Sequence, residues 1–155
     1  MSPSFLSLTL ADADATARLA GLLAPRLTAG DTILLEGDIG AGKTTFARAL
    51  IRARLRSPQE DVPSPTFTLV QTYVADDAEI WHCDLYRLTD PQEVLELGLD
   101  DAFAQAICLI EWPDRLGPDA PKGALLCHFS AFPDHHVLHL TGSAAWQDRL
   151  GDLHV

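Results

Sequence analysis

The chain has 155 residues and a mass of 16.8 kDa, which suits one hydrophobic core, because single domains usually hold about 100 to 200 residues. Apolar residues make up 47% and charged residues 21% of the sequence, which excludes a disordered chain and a collagen-like repeat. The net charge of −11 opposes sequence-independent attraction to nucleic acid. Any nucleic acid involved is therefore expected to be held by another protein.

The amino terminus and the cysteines predict a cytoplasmic protein. No stretch approaches the roughly 18 uncharged apolar residues of a membrane span, and the start MSPSFLSLTLADAD lacks the basic region of a signal peptide. Cys83, Cys108 and Cys127 lie in apolar segments without C-x-x-C spacing. We expect them to be buried, reduced thiols rather than zinc ligands.

The N-terminal half predicts two strand–helix units. Phe5 to Leu10 alternates apolar and polar residues, as strands do, and Asp12 or Asp14 can cap the helix that follows. That helix is expected to place four leucines on one face: Leu19, Leu22, Leu23 and Leu27. Thr32 to Glu36 is a nearly continuous apolar run, typical of a strand buried on both faces of a parallel sheet. Lys43 to Leu55 predicts a helix with an apolar stripe of Phe46, Ala47, Leu50, Ile51 and Leu55.

The C-terminal half predicts further strands and a short helix. One hairpin is expected from Thr66 to Val74 and from Ile80 to Leu85, because both segments are rich in β-branched and aromatic residues. Pro91 is expected to start a helix that breaks at Gly98. The remaining predicted strands are Ala106 to Glu111, which is a second continuous apolar run, and a closing hairpin of Leu125 to Phe129 with Val137 to Leu140.

A glycine-rich loop follows the first apolar run. Gly37 to Thr44 reads GDIGAGKT and fits G-x-x-x-x-G-K-[ST], directly after a predicted strand and directly before a predicted helix. Glycines let successive N–H groups turn inward, and the helix start adds unpaired amides, so the segment can hold phosphates. Lys43 would reach the β and γ phosphates, and the Thr44 hydroxyl would bind Mg²⁺. The alternative is a structural glycine turn without a nucleotide.

Two acids and a threonine complete the predicted site. Glu111 and Asp84 each follow an apolar run and are expected to emerge at strand ends, where magnesium-binding acids sit in related folds. The alternatives are a surface acid for Glu111 and a cap or a partner of Arg87 for Asp84. Thr66 either senses a γ-phosphate, as switch threonines do, or simply starts a strand.

Absent residue types narrow the activity. The chain contains no asparagine, so an N-K-x-D guanine-recognition motif is impossible and ATP is favoured over GTP. A small-molecule kinase usually carries an arginine-bearing lid, and the chain after Glu111 is poor in cations, which weakens that interpretation without removing it. His135, His136 and His139 do not form a set at zinc spacing.

Charge is uneven along the chain. Arg48, Arg52 and Arg56 recur at four-residue spacing and predict a stripe on one helix face. The segment from Asp76 to Asp119 is strongly acidic. Both clusters are either solvated faces or surfaces that dock partners of opposite charge.

Several sequence blocks together resemble the bacterial TsaE family, also called YjeE, of ATPases in tRNA threonylcarbamoyladenosine biosynthesis. The blocks are GDIGAGKTTFARAL, SPTFTLV, HCDLYRL, ELGLDD and LIEWPDR, in family order between Gly37 and Arg115. The resemblance implies one P-loop NTPase-like α/β domain over residues 1–155, with a mixed, mostly parallel sheet, flanking helices and β hairpins. It also implies a cytoplasmic, weak, Mg²⁺-dependent ATPase that acts indirectly with TsaD and TsaB when they modify the adenosine beside the tRNA anticodon.

The resemblance also assigns roles to residues. The nucleotide would be held by the loop residues Asp38, Ile39, Gly40, Ala41, Gly42, Lys43, Thr44 and Thr45. Thr44 and Glu111 would bind the metal, Asp84 and Thr66 would hold the γ-phosphate or position water, and Trp112 would lie near the nucleotide. The family often has an arginine in its last hairpin, where this chain has Asp134, His135 and His136. A small-molecule P-loop kinase and a non-hydrolysing ATP-binding module remain the alternatives.

Overall fold

A mixed β-sheet forms the centre of the computed structural model, which describes residues 3–38, 40–65, 68–90 and 92–155. Within these residues the strands are β1 Leu6–Leu10, β2 Thr32–Gly37, β3 Val70–Val74, β4 Glu79–Asp84, β5 Ile107–Glu111, β6 Leu125–Ala131 and β7 His136–Thr141. The helices are α1 Ala13–Leu23, α2 Lys43–Leu55, α3 Gln92–Glu96, α4 Leu99–Gln105 and α5 Ala144–Leu150.

The strand order places the two apolar runs side by side at the centre of the sheet. The order is β1-β7-β6-β2-β5-β4-β3, in which β6, β2, β5 and β4 run parallel and the outer strands β1, β7 and β3 pair antiparallel. Leu35 near the end of β2 lies opposite Glu111 at the end of β5. The predicted α/β fold with a mixed sheet, parallel in its core, is confirmed.

Both faces of the central strands are covered, which explains why their sequences are continuously apolar. Every residue of β5 is buried. One face packs against α1, α2 and α5 through a large cluster that includes Leu19, Phe46, Leu50 and Trp146. The opposite face packs against α4 through a smaller cluster that includes Leu99, Ala102 and Leu116. Packing on both faces therefore fixes the positions of the carboxyl ends of the central strands.

Helix α1 begins as predicted but faces the core with a narrower stripe. The Asp12 side chain accepts a hydrogen bond from the Ala15 amide at 2.8 Å and caps the helix. Leu19 and Leu23 are buried, but Leu22 is 46% exposed, so the prediction that it shares their face is wrong. Leu22 lies outside the narrow buried face of α1. That face includes the small residues Ala15 and Ala20.

The predicted hairpin is present with a later start. Strand β3 begins at Val70 rather than Thr66, because Leu69 adopts a left-handed φ of 67° that an extended strand cannot continue through. The Leu69 amide donates to the Pro65 carbonyl at 2.7 Å, which closes a turn before the strand. Thr66 itself and Ile39 of the glycine-rich loop lie outside the described residues.

Within the described residues, the chain after β4 contains two α-helices that the sequence does not predict, α4 and α5. The Asp90 side chain caps α3 by accepting from the Gln92 amide at 3.0 Å, and Pro91 lies outside the described residues. Gly98 breaks α3 as predicted, but its left-handed backbone, with φ 82°, also starts α4. Helix α5 near the carboxyl terminus was not predicted either.

All three cysteines are free and buried. Burial raises the pKa of the Cys83 and Cys127 thiols well above its ordinary value and raises the pKa of Cys108 to about 12. The thiols therefore stay protonated at neutral pH and behave as small apolar groups. None of the helices within the described residues is long and apolar enough to cross a membrane.

Candidate nucleotide site at the strand ends

The glycine-rich loop joins the end of β2 to the first turn of α2. Gly37 and Gly42 have φ values of 129° and 104°, in the left-handed range that favours glycine. A Cβ on Gly37 would lie 2.1 Å from the Phe129 carbonyl oxygen on β6, so a side chain is excluded there. These backbone positions bring the loop back over the start of α2, whose first amides lack partners within the helix and suit an anion.

Lys43 is the first residue of α2 and is buried at the base of the loop. Its Nζ donates to the Gly37 carbonyl at 2.8 Å and lies 4.0 Å from the centre of the Trp112 ring, a cation–π distance. Trp112 follows β5, has a left-handed φ of 60°, and packs against Tyr86 with ring centres 5.0 Å apart. A backbone conformation this uncommon for a bulky residue aims the ring at the ammonium group.

Thr44 and Glu111 are connected directly, although 67 residues separate them in the chain. The Thr44 hydroxyl donates to Glu111 Oε1 at 2.9 Å. The other carboxylate oxygen of Glu111, Oε2, lies 2.7 Å from Nε2 of His82. The carboxylate is at the end of its strand, as predicted, but it is only 2% exposed and held between two donors rather than projecting into solvent.

Asp84 lies beside Glu111 at the end of the neighbouring parallel strand. The two residues are opposite each other in the β4–β5 register, and Asp84 is 6% exposed. Its Oδ1 accepts a hydrogen bond from the Tyr86 amide at 3.0 Å, which orients the carboxylate at the point where the chain leaves the sheet. The two predicted acids therefore meet at one edge of the sheet, whereas the role predicted for Thr66 falls outside the described residues.

The oxygen atoms of Thr44 and Glu111 suit a hard cation that also binds a second molecule, such as a phosphate. Hydroxyl and carboxylate oxygens of Thr44 and Glu111 are the ligand types that Mg²⁺ prefers. Among the described residues, no group of three or more His, Cys, Asp or Glu side chains is arranged to hold a metal ion. Mg²⁺ is commonly held by one or two protein groups together with substrate phosphates, and this pair matches that pattern.

A cleft of about 370 Å³ opens beside the loop. It lies between the glycine-rich loop, the start of α1 and the turn that connects β6 to β7. Phe132 in that turn is 49% exposed and stacks on His135, with ring centres 4.9 Å apart and planes 7° apart. His135 hydrogen-bonds Asp134 at 2.6 Å, and this bond holds the pKa of the Asp134 carboxyl below its ordinary value. The cleft thus has an aromatic wall next to a polar floor.

Sequence reasoning missed three groups in this region. His82 lies inside the recognised HCDLYRL block, but nothing in its spacing to Glu111 indicated the buried hydrogen bond. Tyr86 from the same block supports Trp112. Phe132 carried no motif, and only its position in the turn before the Asp134 to His136 segment could have suggested a contact with the cleft.

A family model decides the relationship. The model described as "Threonylcarbamoyl adenosine biosynthesis protein TsaE" matches residues 10–136, which cover the loop, both acids and the β6–β7 turn. The chain belongs to the TsaE family. The family model extends further along the chain than the sequence blocks do, because it continues past Arg115 into the β6–β7 hairpin.

TsaE relatives from distant bacteria align with this chain. It is 45% identical over 106 residues to the tRNA threonylcarbamoyladenosine biosynthesis protein TsaE of Rickettsia conorii, which covers 68% of this chain and 60% of that protein. It is 46% identical over 112 residues to TsaE of a Nostoc species, which covers 69% and 67%. The chain thus spans about three fifths of the length of the Rickettsia relative.

A solved structure shows the same fold. The crystal structure of Bacillus subtilis YdiB superposes with a TM-score of 0.78 at 26% sequence identity, covering 98% of this chain and 95% of that chain. The TsaE fold described above is therefore that of a known α/β protein.

Proposed function

We propose that this chain is an ATP-binding, Mg²⁺-dependent ATPase subunit that serves threonylcarbamoyladenosine modification of tRNA. The observation that carries the proposal is the convergence at one sheet edge of the Gly37 to Thr44 loop, the buried Lys43 ammonium and the Thr44–Glu111 pair. This combination provides backbone donors, a cation and hard oxygen ligands within one site. Membership of the TsaE family supports the biosynthetic role.

The chain's own residues can divide the work of hydrolysis. Lys43 supplies positive charge at the loop, and its present partners, a carbonyl and an aromatic face, are weaker acceptors than a phosphate oxygen. Thr44 and Glu111 would hold Mg²⁺, which when bound neutralises phosphate charge. Asp84 is fixed by the Tyr86 amide beside Glu111 and is the described group best placed to orient a water molecule. The role of Thr66 stays a prediction.

The cleft beside the loop is the proposed place for the nucleoside. An adenine ring can stack on the exposed Phe132, and the Asp12 and Asp134 carboxylates on the cleft wall can accept hydrogen bonds from ribose hydroxyls. The β6–β7 turn would then replace the arginine that the family often carries there. Recognition of adenine through stacking also agrees with the absence of asparagine from the sequence.

Docking to TsaD and TsaB is proposed to use the charged surfaces. Arg52 and Arg56 border an apolar groove between α1 and α2, whose floor is formed by small residues: Ala17, Gly21, Ala49 and Ala53. On another side of the molecule, α3 and α4 expose the acids Glu96, Asp100 and Asp101. Charge reversal by Arg52→Glu with Arg56→Glu is expected to weaken assembly with the partners. Unchanged co-elution of the variant would dismiss the arginine surface.

The deciding experiment measures phosphate release from ATP by the purified chain alone, with TsaD and TsaB, and with TsaD, TsaB and tRNA. We expect slow release from the chain alone and faster release with the partners and tRNA, because a partner can complete an open site. When a threonylcarbamoyl donor is supplied as well, modified tRNA should form only when this chain and ATP are both present.

Two other outcomes would select the alternatives. A hydroxylated metabolite that accelerates ATP consumption far above the rate with water would indicate a small-molecule kinase. ATP binding without phosphate release, even with both partners and tRNA, would indicate a regulatory module that uses ATP only to set its conformation.

A further inference from the structure

His82 is a buried titratable group for which the proposed reaction has no direct use. It lies on β4 two residues before Asp84, so the two side chains are on the same face of the strand. Its side chain is 0% exposed, and its neighbours in the strand, Ile80 and Cys83, are apolar and fully buried. A polar ring in such a position needs a partner, because burial of an unpaired polar group is costly.

That partner is Glu111. Nε2 of His82 lies 2.7 Å from Oε2 of Glu111, and the other oxygen, Oε1, accepts the Thr44 hydroxyl at 2.9 Å. Nδ1 of His82 is buried and has no hydrogen-bond partner within the described part of the chain. A proton on Nδ1 would be buried without an acceptor, so the hydrogen-bond network assigns the proton to Nε2, which donates to the carboxylate.

We propose that His82 is a positioning residue that holds the Glu111 carboxylate in one orientation, with Oε1 turned toward Thr44 and toward Mg²⁺. Without the bond to Oε2, the carboxylate could rotate about its last torsion and lose its alignment with Thr44. A glutamate has three side-chain torsions to restrain, and within the described residues Glu111 is held by these two hydrogen bonds and by packing. The inference rests on the proposed function, because it assigns Mg²⁺ to Glu111.

The test compares two substitutions that differ in one hydrogen bond. His82→Leu removes the donor and keeps an apolar side chain, whereas His82→Gln offers an amide N–H close to the position of Nε2. Binding of ATP is measured by calorimetry as a function of Mg²⁺ concentration and again in excess EDTA. Partners that orient metal ligands typically contribute about 10- to 100-fold to metal affinity, and we expect His82→Leu to weaken apparent Mg²⁺ affinity by this amount.

The control separates positioning from general stability. Cys83→Ala changes the next residue of β4, which is equally buried but points to the opposite face of the sheet. We expect Cys83→Ala to keep wild-type Mg²⁺ dependence, His82→Gln to recover most of the loss, and ATP affinity in EDTA to stay the same in all three. If His82→Leu does not fold, His82→Asn replaces it, since its shorter amide cannot reach Oε2.

Several results would overturn the proposal. These are wild-type Mg²⁺ dependence in folded His82→Leu or His82→Asn, an equal loss in His82→Gln, or an equal loss in Cys83→Ala. Wild-type protein whose ATP affinity ignores Mg²⁺ would refute the proposed function itself and this inference with it. Normal Mg²⁺ dependence in the wild type, together with any of the first three results, would refute the role of His82 alone.

Discussion

Two parts of the candidate site, the strand ends and the β6–β7 turn, are built in opposite ways. At the strand ends, Lys43, His82 and Glu111 are at most 6% exposed, and each makes a hydrogen bond to a neighbouring element. In the β6–β7 turn, Phe132 is half-exposed, and the His135 side chain hydrogen-bonds the adjacent Asp134, which is itself exposed. Buried polar networks are rigid because breaking one bond leaves an unpaired group, whereas exposed pairs are easily exchanged for water.

Under the proposed function, this difference would separate the two tasks of nucleotide binding. The strand ends would hold the triphosphate and its metal, where misplaced charge is costly. The turn offers an aromatic ring for stacking. The free energy of stacking depends only weakly on the exact placement of that ring. We therefore expect substitutions at the strand ends to have large effects on phosphate and Mg²⁺ binding, and substitutions in the turn to have smaller effects that are specific to the base.

The largest effect is expected at Gly37, where β2 ends beside Phe129 of β6. Gly37→Ala places a Cβ 2.1 Å from the Phe129 carbonyl oxygen in a backbone with φ 129°, so β2 and β6 must separate. We expect the free energy of unfolding to fall by about 3 kcal/mol or more from steric overlap together with backbone strain. Urea denaturation of the variant and the wild type measures this change in the free energy of unfolding.

The matched control is Gly40→Ala in the same loop. Gly40 also has a positive φ, of 81°, but nothing lies within 4 Å of its Cβ position, so only backbone strain of about 1 kcal/mol is expected. Equal stability losses in the two variants would show that the contact between β2 and β6 does not constrain the loop.

The second effect concerns the ammonium group at the strand ends. Lys43→Ala removes the single buried lysine of the loop, and we expect ATP affinity to fall about a hundredfold, since hydrogen bonds of charged groups contribute about 1.5 to 3 kcal/mol each. Inorganic triphosphate should lose a similar factor. Lys122→Ala is the control, because Lys122 is the only other lysine and is exposed. Full ATP affinity in Lys43→Ala would reject the loop as a phosphate site.

Local sequence patterns predict individual strands and helices, but they do not predict which residues of distant elements meet. Strand β2, helix α2 and strand β5 follow from apolar runs and glycine spacing, because these patterns depend on local geometry and burial. The hydrogen bond between His82 and Glu111 depends on the strand order and register, in which β4 pairs with β5 after a long excursion through α3 and α4. The number of residues between His82 and Glu111 in the sequence does not indicate that β4 pairs with β5.

The turn escaped prediction for a different physical reason. Phe132, Asp134 and His135 connect two antiparallel strands, and their residue types fit many exposed turns equally well. These residues come near the candidate site because β6 lies next to β2, which places the end of the β6–β7 hairpin beside the glycine-rich loop. Likewise, Gly98 signals a helix break in the sequence, but whether another helix follows depends on packing against the sheet.

The third effect separates Glu111 from Asp84 at neighbouring strand ends. Glu111→Ala is expected to weaken apparent Mg²⁺ affinity at least as much as His82→Leu, by about 100-fold or more, because it removes a direct ligand and the acceptor of Thr44 and His82. Asp84→Ala should reduce phosphate release more than Mg²⁺ affinity. A Mg²⁺ titration of ATP binding provides the measurement, and a Glu111→Ala protein with unchanged Mg²⁺ affinity would transfer the metal to Asp84.

The smallest effect tests the turn. Phe132→Ala is expected to lower ATP affinity about fivefold, since stacking of an exposed aromatic ring contributes about 1 kcal/mol. Affinity for inorganic triphosphate should not change, because that ligand has no ring to stack. Val74→Ala is the control, as Val74 is 81% exposed on β3, at the far edge of the sheet. A loss of equal size for ATP and triphosphate would mean that the turn shapes the glycine-rich loop, and the division of tasks between the strand ends and the turn would then be wrong.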